Sequence, residues 1–211
     1  MGKSLEELHY FDLPPFFSDT EVANIVPGTE DRRYALLKRA MARGDLLHMR
    51  KGVYCVAKRY QRKALNLYSI AQRMYGPSYV SFESALSYRS WIPEAVPWVT
   101  SACVRRSREF QTPLGAFTFT RVPAKVFLAH VERLVSDADS FFMATPWRAI
   151  ADYIYAHGKE WKGIHPLIHS LRIDEEYLQA ATRDELEDLD RSFGKARVSA
   201  FLNGVIRELN L

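Results

Sequence analysis

The first readable element is Phe17-Ser18-Asp19-Thr20-Glu21-Val22, a complete helix-start pattern. Ser18 can accept from the Glu21 amide while the Glu21 carboxylate reaches back to the Ser18 amide. Phe17 and Val22 bracket the cap as a hydrophobic staple. Pro14-Pro15 rules out a helix arriving from upstream, and the element should stop near Ile25 or Val26, before the turn dipeptide Pro27-Gly28. Thr29 then caps a second helix, with Glu30 and Asp31 suited to its positive end and Gly44 terminating it after Arg43. Two helices joined by so short a turn make a helix-turn-helix. At about 100° per residue, Tyr34, Leu37 and Met41 share one sector flanked by Leu36 and Ala40, which is the expected buried face. Arg32, Arg39 and Arg43 fall nearly opposite, bordered by Ala35 and Ala42. Leu46-Leu47-His48-Met49 and Val53-Tyr54-Cys55-Val56 then read as two strands around Arg50-Lys51-Gly52. A hairpin directly after such a helix is the wing of a winged helix-turn-helix, with Arg50 and Lys51 at its tip.

Beyond residue 60 the periods alternate. Residues 63–75 read as a helix with Leu67, Ile70, Ala71 and Met74 on one face, ended by Gly76-Pro77. Ser81 opens another helix through about Arg89. Trp98 to Arg105 tends to strand, Phe110 to Thr120 reads as a hairpin, and Phe141 to Ala144 as a short buried strand. From Pro146 onward the pattern is helical, closing on Ala196–Leu209 with Val198, Phe201, Leu202, Val205 and Leu209 along one side. The expected fold class is α+β: a winged helix-turn-helix over residues 1–60, then a mixed α/β domain over 61–211 with a small antiparallel sheet and a helical C-terminus.

Composition changes this picture little: 47% hydrophobic and 26% charged residues fit a globular chain. Met1-Gly2-Lys3-Ser4-Leu5-Glu6-Glu7 lacks a secretory leader's apolar core, and no apolar run is long enough to span a bilayer, so a cytoplasmic protein with no membrane partner is expected. Cys55 and Cys103 lie in strand-like runs without ligand spacing and read as reduced packing residues. Charge changes the picture more. Between Arg32 and Lys63 eleven basic residues (among them Arg33, Lys38, Lys58, Arg59 and Arg62) face one acid, Asp45. Between Asp174 and Asp190 eight acids face only Arg183. One end attracts phosphate and the other repels it. A helix with an arginine row bordered by alanines can approach a major groove closely, whereas wing cations touch phosphate and contribute affinity more than base discrimination. The candidate DNA-binding residues are Arg32, Arg33, Lys38, Arg39, Arg43, Arg50 and Lys51. Arg105, Arg106, Arg108 and Arg121, with only Glu109 opposing, make a candidate second basic surface; a solvated strand edge guarded by charge is the bland alternative.

Four ordered motifs carry a resemblance. Lys51-Gly52-Val53-Tyr54 follows the short helix-turn-helix. Next come Tyr79-Val80-Ser81-Phe82-Glu83-Ser84-Ala85-Leu86-Ser87-Tyr88 with Ile92-Pro93-Glu94, and then Phe110-Gln111-Thr112-Pro113-Leu114-Gly115. Ala144-Thr145-Pro146 leads the last into a helix through Asp152 and Tyr155. Together these resemble the AbiEi antitoxin family of type IV toxin–antitoxin systems, which act in abortive infection, a form of phage defence. The resemblance implies a transcriptional autorepressor that binds its own promoter. It also implies a second domain that counters a nucleotidyltransferase toxin without a stable complex. The chain departs from the family at Trp147-Arg148, where Glu-Lys is usual.

No enzyme chemistry stands out, and no cofactor or metal is expected. The chain lacks a phosphate-binding Gly-rich loop and a nucleophile elbow. His165 and His169 have i, i+4 spacing but no third ligand nearby, and Glu160-Trp161-Lys162 only formally matches a nuclease Glu-x-Lys. Tyr68, Tyr75, Phe82, Tyr88 and Trp91 could stack on single-stranded nucleic acid, although such aromatics are more often core. Two other readings stand beside the antitoxin: a stand-alone winged-helix transcription factor with a ligand- or partner-sensing domain, and a nucleic-acid-processing enzyme.

Overall fold

A computed structural model describes residues 14–61, 63–136 and 139–211; the Met1–Glu7 segment and Arg62 lie outside them. The fold is α+β, with nine α-helices and two sheets among the described residues. No helix among them is long and apolar enough to cross a membrane.

Strand β1 (Phe16–Ser18) leads directly into helix α1 (Asp19–Ile25). The capping box forms as its sequence requires: the Glu21 amide donates to Ser18 Oγ at 3.3 Å and the Ser18 amide to Glu21 Oε2 at 2.7 Å. Helix α2 (Glu30–Ala42) starts on Thr29, whose hydroxyl accepts from the Arg32 amide, and ends at Gly44 with φ +69°. Strands β2 (Leu46–Arg50) and β3 (Val53–Val56) form the expected hairpin around Lys51-Gly52. β1, which the sequence reading leaves out, pairs with β3 to make a three-stranded antiparallel sheet.

Successive strand residues point to opposite faces, and this small sheet uses both. Phe17, Tyr54 and Leu46 join Val22, Val26, Leu36, Leu37 and Ala40 in a compact core under α1 and α2. Their neighbours Phe16, Cys55, Val53 and Met49 belong instead to the large core of the remaining chain. A register break between His48 and Arg50 turns Met49 and Arg50 toward that second core. Residues on both sides of position 60 therefore share one continuous apolar interior.

The rest is built on a six-stranded sheet of order β6-β7-β5-β4-β9-β8, comprising β4 (Ser78–Val80), β5 (Val99–Cys103), β6 (Arg108–Thr112), β7 (Gly115–Arg121), β8 (Val131–Ser136) and β9 (Asp139–Ala144). It is larger than the small antiparallel sheet expected, and it is mixed: β5 pairs with β7 and β4 with β9 in parallel. Helix α3 (Leu67–Met74) lies against β4, β5 and β9 and is shorter than expected. Asn66 ends it upstream because its carboxamide oxygen accepts from the Tyr68 and Ser69 amides, so residues 63–66 stay outside. Helix α4 (Phe82–Tyr88) packs on β5 and on α5 (Pro146–Ala156). Helices α6 (His165–Leu171), α7 (Glu175–Gln179), α8 (Arg183–Phe193) and α9 (Ala196–Glu208) complete the chain. Gly204 of α9 meets the loop at Gly163 so closely that a Cβ there would sit 2.8 Å from the Gly163 nitrogen.

Trp147 and Arg148 are wholly buried at the start of α5. Arg148 Nε donates to Asp152 Oδ1 at 3.0 Å, Nη1 to the Ala129 carbonyl at 2.8 Å, and Nη2 to the Tyr79 hydroxyl. Asp152 also accepts from Tyr79 at 2.9 Å and Ser81 at 2.6 Å. Every nitrogen of the guanidinium and both carboxylate oxygens thereby have a partner, the condition under which a buried ion pair is tolerated. Trp147 and Arg148 thus belong to the interior of the chain and not to its surface.

Candidate nucleic-acid interface

Helix α2 carries the cations, and its packing decides where they point. The buried positions are Leu36, Leu37 and Ala40, while Met41 is half-buried and Tyr34 is 60% exposed. The inward face is therefore rotated by roughly a quarter-turn, at about 100° per residue, from the Tyr34–Leu37–Met41 sector expected. Leu36 and Ala40 meet the apolar side chains of α1 and the small sheet, while the phenol of Tyr34 keeps its polar end in water. Lys38 now lies nearly opposite the buried face, with Ala35 and Ala42, and the row Arg32, Arg39 and Arg43 runs along one flank. All four of these cations are exposed. Arg33 is half-buried and donates from Nη1 to the Gly28 carbonyl across the turn between the helices. Tyr34 is the surface residue that the periodicity misses; its position after two arginines is the one signal that would have raised it.

Asp45, the single acid of this basic stretch, is removed from the surface. It is 6% exposed and accepts from Arg59 Nη2 at 2.6 Å and from the Tyr60 hydroxyl at 2.9 Å. Burial pushes its carboxyl up, but those hydrogen bonds and the charges of Arg59 and Arg43 outweigh it, and the net pKa lies below the ordinary value. Its hydrogen bonds go to Arg59 and Tyr60, and of the α2 cations only Arg43 at the helix end feels its charge.

The two hairpin cations part company. Lys51 is exposed at the turn. Arg50 is half-buried and faces the larger unit: its Nε donates to the Met74 carbonyl at 2.6 Å and Nη1 to the Lys51 carbonyl at 3.0 Å. Burial and then the charges of Arg105 and Arg108 hold its pKa below the usual arginine value, and β2, which ends at Arg50, packs on β6, which starts at Arg108. Arg105, Arg106, Arg108 and Arg121 gather at one end of the large sheet, where Cys103 pairs with Arg121 and Arg108 with Phe119. Tyr75 ties the end together. Its hydroxyl donates to the Arg106 carbonyl at 3.0 Å, and the Arg105 guanidinium lies 5.9 Å from its ring centre. The structure thus joins Arg50 to the second basic surface, through Arg105 and Arg108, and leaves Lys51 at the turn.

Among the described residues none of these eleven cations has a carboxylate partner. The ion pairs there engage Arg59, Arg73, Arg89, His130, Arg148, Arg172, Arg183, Arg191 and Arg197 instead. Two cationic groupings left without counter-charge can therefore take up phosphate or another anion at little cost in broken contacts.

No model of a known protein family matches the chain, and no curated protein matches it either.

The remaining candidates disperse. His165 and His169 are exposed on α6 with ring centres 4.1 Å apart, and no group of three or more His, Cys, Asp or Glu among the described residues could hold a metal ion. Glu160 is exposed in the loop after α5, 3.9 Å from Arg197. Phe82 is buried; Tyr68, Tyr75 and Trp91 are half-buried; Tyr88 is 48% exposed. Cys55 and Cys103 are both free and buried.

Proposed function

We propose that this chain is a DNA-binding transcriptional autorepressor and the antitoxin of an AbiEi-like type IV toxin–antitoxin system. Its first 60 residues would work as a winged helix-turn-helix. The observation that carries the DNA-binding half is the α2 surface: four exposed cations with no carboxylate partner, beside an acid that is buried and neutralised by Arg59. The order α1, tight turn, α2, hairpin supports the winged reading, with α2 entering the major groove. Lys51 and the Arg105–Arg108 end of the sheet would then lie on phosphates and add salt-dependent affinity. The antitoxin half rests on the family resemblance, with a nucleotidyltransferase toxin as functional partner and no stable complex between them.

The test is binding of the purified chain to the DNA upstream of its own gene, against scrambled DNA, over a salt series. Neutralising about six phosphates gives a log–log slope of about −5. Arg39→Ala with Arg43→Ala should reduce preference for the upstream site, whereas Lys51→Ala should weaken all DNA alike. Equal and weak binding of both DNAs by the parent chain would remove the reading. For the antitoxin half, co-expression should restore growth to cells making the adjacent nucleotidyltransferase, and failure to do so would leave a repressor alone.

A further inference from the structure

A cleft of about 850 Å³ opens where residues 14–60 meet the large sheet. Pro14, Pro15, Val56 and Tyr60 form one side, and Trp98, Val99, Phe117 and Phe141 the other. Its size and largely apolar walls fall within the range of small-molecule sites, which favour such junctions. Three aromatic rings already make a tight wall. Tyr68 meets Tyr88 edge-on at 5.5 Å and Phe141 at 5.4 Å, and Tyr88 meets Phe141 at 6.0 Å.

Trp98 is different. It is 48% exposed, and among the described residues it stacks on no ring and its indole N–H donates to no group. A large aromatic plane left open inside a cleft is a surface for another ring. Among the described residues the charged lining side chains are two. Asp139 accepts only from the neutral Ser69 hydroxyl, at 3.2 Å, and Lys63 is exposed; neither forms an ion pair among the described residues.

We propose that this cleft binds a planar aromatic anion, its ring on Trp98 beside the Tyr68–Tyr88–Phe141 wall and its negative group on Lys63. The occupant is a small molecule with one or two fused rings and a carboxylate, sulfonate or phosphate. Because both sides of the junction supply walls, the bound molecule ties the N-terminal unit to the sheet. The site is independent of DNA binding and stands or falls separately from it.

The test uses the full chain and two fluorescent probes of nearly the same shape: anionic 1-anilinonaphthalene-8-sulfonate and neutral N-phenyl-1-naphthylamine. The anionic probe should bind at one site per chain and raise the melting temperature as its concentration rises. Ala64→Trp places a ring in the cleft from an exposed position and should abolish binding of both probes without lowering the melting temperature of the free chain. Trp98→Ala should weaken both by roughly tenfold. Lys63→Met should weaken the anionic probe by about threefold and leave the neutral one unchanged. Binding of the anionic probe that survives Ala64→Trp, or fails to saturate at one site, overturns the cleft. Equal effects of Lys63→Met on the two probes overturn the assignment of an anion.

Discussion

The buried Arg148–Asp152 pair offers the sharpest test of the packing described above. Arg148→Met keeps the apolar stem of the side chain but removes the guanidinium, which lies 5.2 and 5.1 Å from the ring centres of Tyr79 and Phe193. The change removes three donated hydrogen bonds and the only counter-charge of Asp152 among the described residues. Asp152 would retain the Tyr79 and Ser81 hydroxyls, and the Ala129 carbonyl would lose its guanidinium donor. Stranding one partner of a buried pair costs about 3–5 kcal/mol, a large share of a total stability of about 5–15 kcal/mol. For a chain of this size each kcal/mol moves the melting temperature by about 2–4 °C, so a fall of roughly 6–20 °C is expected. Urea unfolding followed by tryptophan fluorescence is the assay, since Trp147 is buried next to the substituted position. Arg148→Met with Asp152→Asn should cost clearly less than the sum of the two single changes, because the second removes the charge that the first left exposed to a low dielectric. A single Arg148→Met change costing under about 1 kcal/mol, or strict additivity in the cycle, would show that the pair is hydrated and the network as described is wrong.

Two further perturbations probe other parts of the molecule. Asp45 has a folded-state pKa below its ordinary value of 3.8, so the stability it contributes is complete above that value and is lost as pH falls through the depressed one. The gap in urea midpoint between the parent and Asp45→Asn should therefore be full at neutral pH and close below about pH 4; a gap that widens on acidification would refute the ion pair with Arg59. Gly204→Ala should cost about 1–3 kcal/mol through overpacking, because the new methyl meets backbone at Gly163 and not the flexible end of a side chain. An unchanged melting temperature would mean that α9 does not approach that loop as described.

What could be read from the residues was mainly what neighbours along the chain decide. Ser18 and Glu21 cap each other within one turn, and Thr29 and Gly44 mark both ends of α2, so these boundaries follow from local chemistry. The cations of α2 were equally legible, because charge without nearby acids is a property of composition. The buried face of that helix was not. Tyr34, Leu37 and Met41 make as good an apolar sector as Leu36, Leu37 and Ala40, and only the partners on α1 and the small sheet choose between them. β1 escaped for a similar reason: a strand of three residues has no period to detect and exists only through pairing with β3. The cleft draws its walls from Pro14 to Phe141, a separation that no spacing rule bridges.

Arg50 shows most clearly how tertiary packing revises a local reading. By sequence it is a hairpin-tip cation, free to reach phosphate. The alternation that sends Tyr54 and Leu46 to one core also sends Cys55, Val53 and Met49 to the other, so the hairpin is packed on both faces and keeps only His48 and, at the turn, Lys51 exposed. The register break after His48 then brings Arg50 to the Met74 carbonyl, with its charge held beside Arg105 and Arg108. Arg50→Ala is consequently a poor probe of phosphate contact, since it would loosen the junction as well as remove a charge. Lys51 at the exposed turn isolates the electrostatic effect. If Lys51→Ala reduces the salt slope by about one unit while Arg50→Ala changes both stability and affinity, the hairpin serves two purposes at once: one cation faces the nucleic acid, and its neighbour fastens the small sheet to the large one.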